Sequence, residues 1–275
     1  MIIPNTNIRN ALNFFGVMKK YILITIGVIL CNVSSFSQCV NKNQAFGVGE
    51  ELKYHAYYNL GRLWVKGGEA TFSVGKSGDN YLFTVTAQNL PGLDWLYKLQ
   101  TTHKAEMTKQ MQPVSLKART VENKNWDYVE YIYKGDSIHK RLVNNQYPKG
   151  RDTTYRRTPC SWDIINAVYI ARNTDFKHIP MGEQIPYYIN FNDSTHTIYG
   201  KVLQKERIKN REGVEFDCLK CSATVAPGTI FAANKPVFVW VTDDLRRIPV
   251  LIESQISIGA IKVFLYEYKE GRVDN

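Results

Sequence analysis

The sequence lacks the short motifs that mark most enzyme and cofactor sites. It contains no H-E-x-x-H, no G-x-S-x-G and no glycine-rich phosphate loop, so the signatures of zinc peptidases, serine hydrolases and P-loop proteins are missing. Its five histidines, His55, His103, His139, His178 and His196, stand singly, without metal-ligand spacing. No cofactor is implied. Internal repeats and low-complexity tracts are absent too. The apolar run at 21–31 falls short of the roughly 20 residues that cross a hydrocarbon core, which argues against a retained anchor.

What is present at the start reads as an export signal. Lys19 and Lys20 precede that apolar run, and Ser35-Phe36-Ser37 supplies small residues where a signal peptidase reads. Met18 is the expected start, with 1–17 an upstream extension. Cleavage after Ser37 leaves Gln38 first. Leu30 before Cys31 and Gln38 before Cys39 are both too large for a lipoprotein site. Without Arg9, Lys19 and Lys20, the 35 basic side chains fall to 32 against 25 acidic ones, a net charge of +7. A moderately basic surface of this kind is either plain solvated surface or an attraction to anionic lipid or glycan. Roughly 238 remaining residues can bury a large core. Cys39, Cys160, Cys218 and Cys221 remain after cleavage, and an oxidising compartment permits one or two disulfides among three pairings.

The mature region reads as strand after strand. Leu52, Tyr54, Ala56 and Tyr58 alternate with Lys53, His55 and Tyr57; Tyr81, Phe83, Val85 and Ala87 do the same, and later Ile185, Tyr187, Ile189 and Phe191. A period of two marks a strand with one buried face. Gly67-Gly68, 75–80, Pro91-Gly92 and Gly135-Asp136 read as turns. Residues 93–97 suggest a short helical turn. One helix is expected at 161–173, capped by Ser161, with Ile164, Ile165, Val168 and Tyr169 as its apolar stripe. The stretch 144–160 reads as a loop. The pattern predicts a mainly β protein: a large curved antiparallel sheet or half-open barrel of about 12–14 strands, with the helix as plug or lid. The domain is expected over 46–270, with tails at 38–45 and 271–275.

Three motifs in order carry a resemblance. They are F-G-V-G-E-E-L-K-Y (46–54) with G-G-E-A-T-F (67–72), the helix D-I-I-N-A-V-Y-I-A-R-N (163–173), and V-W-V-T-D-D-L-R-R-I-P-V (239–250) followed by I-G-A-I-K-V-F-L (258–265). Together they resemble domain-of-unknown-function family 3108, exported proteins of Gram-negative bacteria, across 46–268. The W-x-x-D-D-x-x-R-x-P pattern is similar, at fold level, to the half-open barrels of periplasmic lipoprotein carriers.

Several constellations invite a functional reading. Asp243 and Asp244, with Arg246, Arg247 and Trp240, form the most tempting group. Adjacent aspartates in a hairpin ordinarily hold the bend, and adjacent strand residues face opposite ways, so they make a poor glycosidase pair. Cys218 and Cys221 form a C-x-x-C, but on strand spacing their thiols point apart. Basic residues cluster at 149–157 and 201–211. Export makes nucleic acid an unsuitable partner for them, leaving anionic lipid or glycan, or an exposed loop and a lysine-guarded edge strand. No catalytic or metal residues are assigned. The expected protein is therefore exported, periplasmic or outer-membrane associated, without a membrane span in its mature chain. Its foremost reading is a non-catalytic binding module for an apolar or amphipathic envelope ligand. A packed scaffold that binds an envelope protein is the alternative, and a glycan or lipid hydrolase the third.

Overall fold

Alternating residues with one apolar face need a partner layer, and here one sheet supplies it by curling. The computed structural model describes residues 39, 42–60, 63–92, 98–224, 235–255 and 259–272. The expected leader at 1–37 and the helical turn at 93–97 lie outside the described residues.

A meander of antiparallel strands opens the fold: β1 (Glu51–Leu60), β2 (Leu63–Ser77), β3 (Asn80–Asn89), β4 (Leu99–Met107), β5 (Pro113–Glu122), β6 (Asn125–Lys134), β7 (Ser137–Asn144) and β8 (Arg151–Arg156). Then come the two-residue β9 (Ser161–Trp162), the helix α1 (Ile164–Arg172) and a 3-10 turn at Phe176–His178. A second meander follows: β10 (Ile185–Phe191), β11 (Ser194–Lys209), β12 (Glu215–Ala223), β13 (Val237–Thr242), β14 (Pro249–Gln255) and β15 (Ala260–Lys269). All belong to one 15-stranded curved sheet, ordered from β8 back to β1, then β15 back to β9. It is not closed into a barrel. The two halves are thus not subdomains: β1 pairs with β15 from Glu51↔Lys269 to Tyr58↔Ile261. Among the described strands only the short β9–β10 pair is parallel.

Side chains span the gap between the sheet's two ends. In the turn after β10, Asp193 accepts from Lys140 Nζ on β7 at 3.0 Å and from Thr153 Oγ1 on β8 at 3.1 Å. Tyr131 on β6 donates to the Asn192 carbonyl.

The alternation shows in burial. Leu52 and Tyr54 are buried while Lys53 and His55 are not, and Tyr81, Phe83 and Val85 are buried on one face of β3. Phe46 sits edge-on among Tyr81, Phe83 and Tyr169, and Phe83 stacks on Tyr169 with centroids 3.8 Å apart. Each such contact adds about 0.5–1.5 kcal/mol beyond its buried area. Asn43 and Ala45, just ahead of Phe46, are buried as well. Cys39 is disulfide-bonded to Cys160, while Cys218 and Cys221 are free.

Three local expectations change. Gly67-Gly68 makes no turn but lies inside β2, beside a register shift in β1 between Ala56 and Tyr57. A Cβ on Gly68 would stand 2.9 Å from the Gln88 carbonyl oxygen, so glycine here permits close backbone approach. The cap of α1 is Asp163, not Ser161; its carboxylate accepts from the backbone N–H of Ile165 and Asn166 at 3.1 and 3.0 Å. The stretch 144–160 is not all loop, because 151–156 pairs with β7 as the edge strand β8. Its polar, mostly exposed residues suit an edge that faces water.

Candidate functional site

The apolar residues of α1 form two faces rather than one stripe. Ile165, Tyr169 and Ile170 pack into the core with Phe46 and Phe83. Ile164, Val168 and Ala171 instead line a cavity of about 370 Å³, and the buried Ala167 borders both core and cavity. That volume falls within the range of ligand sites, ~300–1,000 Å³. The far wall comes from alternate residues of the second meander: Ile185, Tyr187, Ile189 and Phe191 of β10, and Val237, Val239 and Val241 of β13. Cys221, Ala223, Pro249 and Ile252 add to it. Ile164 is 40% exposed although it lines this cavity, so α1 presents apolar surface to space that no side chain among the described residues fills.

Polar groups are few and mostly engaged. The Tyr187 hydroxyl lies 2.9 Å from Thr174 Oγ1, and burial pushes its pKa up to about 12. Arg172 is held by Glu50. Arg247 is 7% exposed, lies over the Phe176 ring at 5.1 Å and has a buried Nε without a partner. Burial lowers its pKa. Phe176 and Arg247 also line a second, more polar hollow of about 630 Å³ with Lys177, Lys205, Asp243 and Asp244. Among the described residues no cluster of three or more His, Cys, Asp or Glu side chains could hold a metal ion.

The model of a family described as a protein of unknown function, DUF3108, matches residues 53–266. The chain belongs to the DUF3108 family. Comparison with curated proteins finds no match. Among solved structures, a beta-barrel-like protein of the DUF1849 domain from Brucella abortus shares the fold. It is 8% identical with a TM-score of 0.56, over 83% of this chain and 100% of that one. A proposed exported protein with YmcC-like fold from Bacteroides fragilis has 10% identity and a TM-score of 0.36, over 84% of this chain and 100% of that one. A proposed lipoprotein from Parabacteroides distasonis has 11% identity and a TM-score of 0.32, over 84% and 100%.

In this DUF3108 chain the residues singled out by sequence go to different places. Asp244 holds its hairpin: Oδ1 accepts from Thr242 Oγ1 and from the N–H groups of Arg246 and Arg247, and Oδ2 accepts from the Arg246 guanidinium at 2.8 Å. Asp243 is taken by Lys205 at 2.7 Å. The two carboxylates therefore serve different partners. Trp240 lies between the cavity-lining Val239 and Val241, on the opposite face, where its indole N–H donates to Glu206. Cys218 packs with Trp240 while Cys221 faces the cavity. Of the hairpin group, Arg247 alone lines the apolar cavity. The basic cluster at 149–157 includes the edge strand β8. That at 201–211 follows β11 beyond Gly200, where its pairing with β10 ends. Sequence reasoning missed Phe176 and the cavity side of α1; two apolar faces on one short helix was the available signal.

Proposed function

We propose that this chain is a non-catalytic binding module of the cell envelope, holding an apolar or amphipathic ligand between α1 and β10–β14. The observation that carries the reading is the cavity itself. Protein interiors pack as densely as organic crystals, and larger side chains filling this space would stabilise the fold more than the valine, alanine and isoleucine that line it. A site kept open at that cost fits an occupant.

The envelope assignment is supported by the leader pattern at 18–37 and by the Cys39–Cys160 disulfide, which suits an oxidising compartment. Among the described residues no helix is long and apolar enough to cross a membrane.

Native mass spectrometry of the protein, expressed with its own leader and recovered from the envelope, tests the proposal. The expected result is a start at Gln38 and a discrete extra mass released by organic solvent. Val239→Trp, which fills the cavity, should lose that mass while keeping the fold. A bare polypeptide mass, under conditions that retain lipid on a known carrier, would instead favour a packed scaffold for an envelope protein.

A further inference from the structure

Arg247 has a backbone φ of 43°, a left-handed conformation uncommon outside glycine. It is fixed there by its N–H donating to Asp244 Oδ1 at 3.1 Å. The conformation separates two adjacent arginines. Arg246 turns outward to Asp244 and Glu270, whereas Arg247 turns inward to the wall of the cavity. There its Nη1 donates to the carbonyls of Arg172 and Leu245 at 3.3 and 3.4 Å, which leaves the Nε buried and unsatisfied. The nearby carboxylates contact other side chains: Asp175 meets His178, Asp243 meets Lys205 and Asp244 meets Arg246.

Asp175, Asp243 and Asp244 act on the Arg247 guanidinium only through space; a buried guanidinium with no carboxylate in contact is costly, and a matched anion offsets much of that cost. Arg172, the other guanidinium on this wall, already has a carboxylate in Glu50. Lys201 is only half-buried, so water serves it. One unsatisfied buried cation beside an apolar chamber is therefore complementary to one negative charge on an apolar tail. A planar guanidinium suits a carboxylate, whereas a doubly charged phosphate monoester would need a second buried cation.

We infer that Arg247 is the headgroup anchor of this site and that its ligand class is a long-chain monocarboxylate. The tail lies between α1 and β13, and the carboxylate meets Arg247 beside Phe176, where the cavity and the polar hollow share a wall. This inference rests on the binding reading above and adds the chemistry of the occupant.

Dodecanoate, dodecanol and dodecyl phosphate, titrated into solvent-stripped protein by calorimetry, test it. Dodecanoate should bind on the order of tenfold more tightly than dodecanol. Arg247→Gln should bring dodecanoate down to the dodecanol level and leave dodecanol unchanged. Arg247→Lys, which keeps the charge but loses the fork, should fall between, and it serves as the readout if Arg247→Gln fails to fold. Equal binding of dodecanoate and dodecanol to the wild type would overturn the anchor, as would preference for dodecyl phosphate. Dodecanol binding that Val239→Trp abolishes would keep the cavity reading intact in either case. Failure of all three probes to bind would overturn both.

Discussion

Glu50 and Arg172, 122 residues apart in the chain, form a buried two-pronged ion pair with N–O distances of 2.6 and 2.8 Å. The Arg172 guanidinium also donates to the carbonyls of Ala45 and Arg246 at 3.0 Å each. One side chain at the end of α1 thus ties together the segment before β1, the start of the sheet and the β13–β14 hairpin. Removing one partner of such a pair leaves a buried charge alone, at a cost of about 3–5 kcal/mol. Glu50→Gln should lose that much in urea unfolding at neutral pH. The double variant Glu50→Gln with Arg172→Met should recover part of it. A loss below about 1 kcal/mol, the scale of an exposed pair, would show that this one does not hold the segments together.

The Cys39–Cys160 bridge spans 121 residues of sequence. It joins the segment before Phe46 to the residue before β9. Replacing both cysteines by serine should cost about 2–5 kcal/mol. Cys218 is buried and its pKa is pushed up to about 12 by desolvation, so it should resist alkylation at mildly alkaline pH until the protein unfolds. Rapid native labelling of Cys218 would contradict its burial.

Asp163 carries a pH dependence of defined sign. Burial raises its pKa from 3.8 to about 6, against the hydrogen bonds from Asn166 and Ile165 that lower it. The folded protein therefore holds this proton more tightly than the unfolded chain. The resulting stabilisation is complete below pH 3.8 and is lost as pH rises through about 6. Relative to Asp163→Asn, the wild type should lose about 3 kcal/mol over that window. Equal slopes for the two proteins in chemical unfolding would refute the assignment.

Where the sheet's ends approach, Lys140 is 8% exposed and depends on Asp193. Burial raises the Asp193 pKa, but Lys140 and Thr153 outweigh it and hold the carboxyl below its usual range. Its stabilisation is present above the ordinary carboxylate pKa and fades as pH falls through the lowered one. Asp193→Ala should cost about 1–3 kcal/mol. Hydrogen exchange should quicken in β7, β8 and the turn after β10 while the β1–β15 pair stays protected. Unchanged exchange at these sites would show that the bridge contributes nothing.

Local pattern was enough to place β1, β3 and β10, because each buries one face and alternates accordingly. At the β13–β14 hairpin Asp244 holds the bend, while Asp243 pairs with Lys205. The errors arose where long-range contact decides. Gly67-Gly68 looks like a turn, yet the neighbouring backbone of β3 makes it strand. Ser161 looks like a cap, but pairing of β9 with β10 uses it as strand and moves the cap to Asp163. Which side of α1 lines the cavity was not legible, because Ile164 and Val168 are as apolar as the core-facing Ile165 and Tyr169. Only the path of β10–β14 distinguishes them. Arg247 differs from Arg246 by a backbone angle that strand alternation does not supply.

The seam between β1 and β15 gives this fold an order of events. Hairpins within each meander form between near neighbours, but the seam sets Leu52 opposite Tyr268. Contacts so distant in sequence slow folding, since the chain must close a long loop before any pairing energy is gained. During synthesis β1 therefore waits, with one side unpaired, until β15 has emerged. The last described strand is an interior strand of the finished sheet. A chain cut short before Ala260 would not be a slightly smaller version of the same molecule; it would carry two extra raw edges in the middle of its sheet, each a template for pairing with another chain.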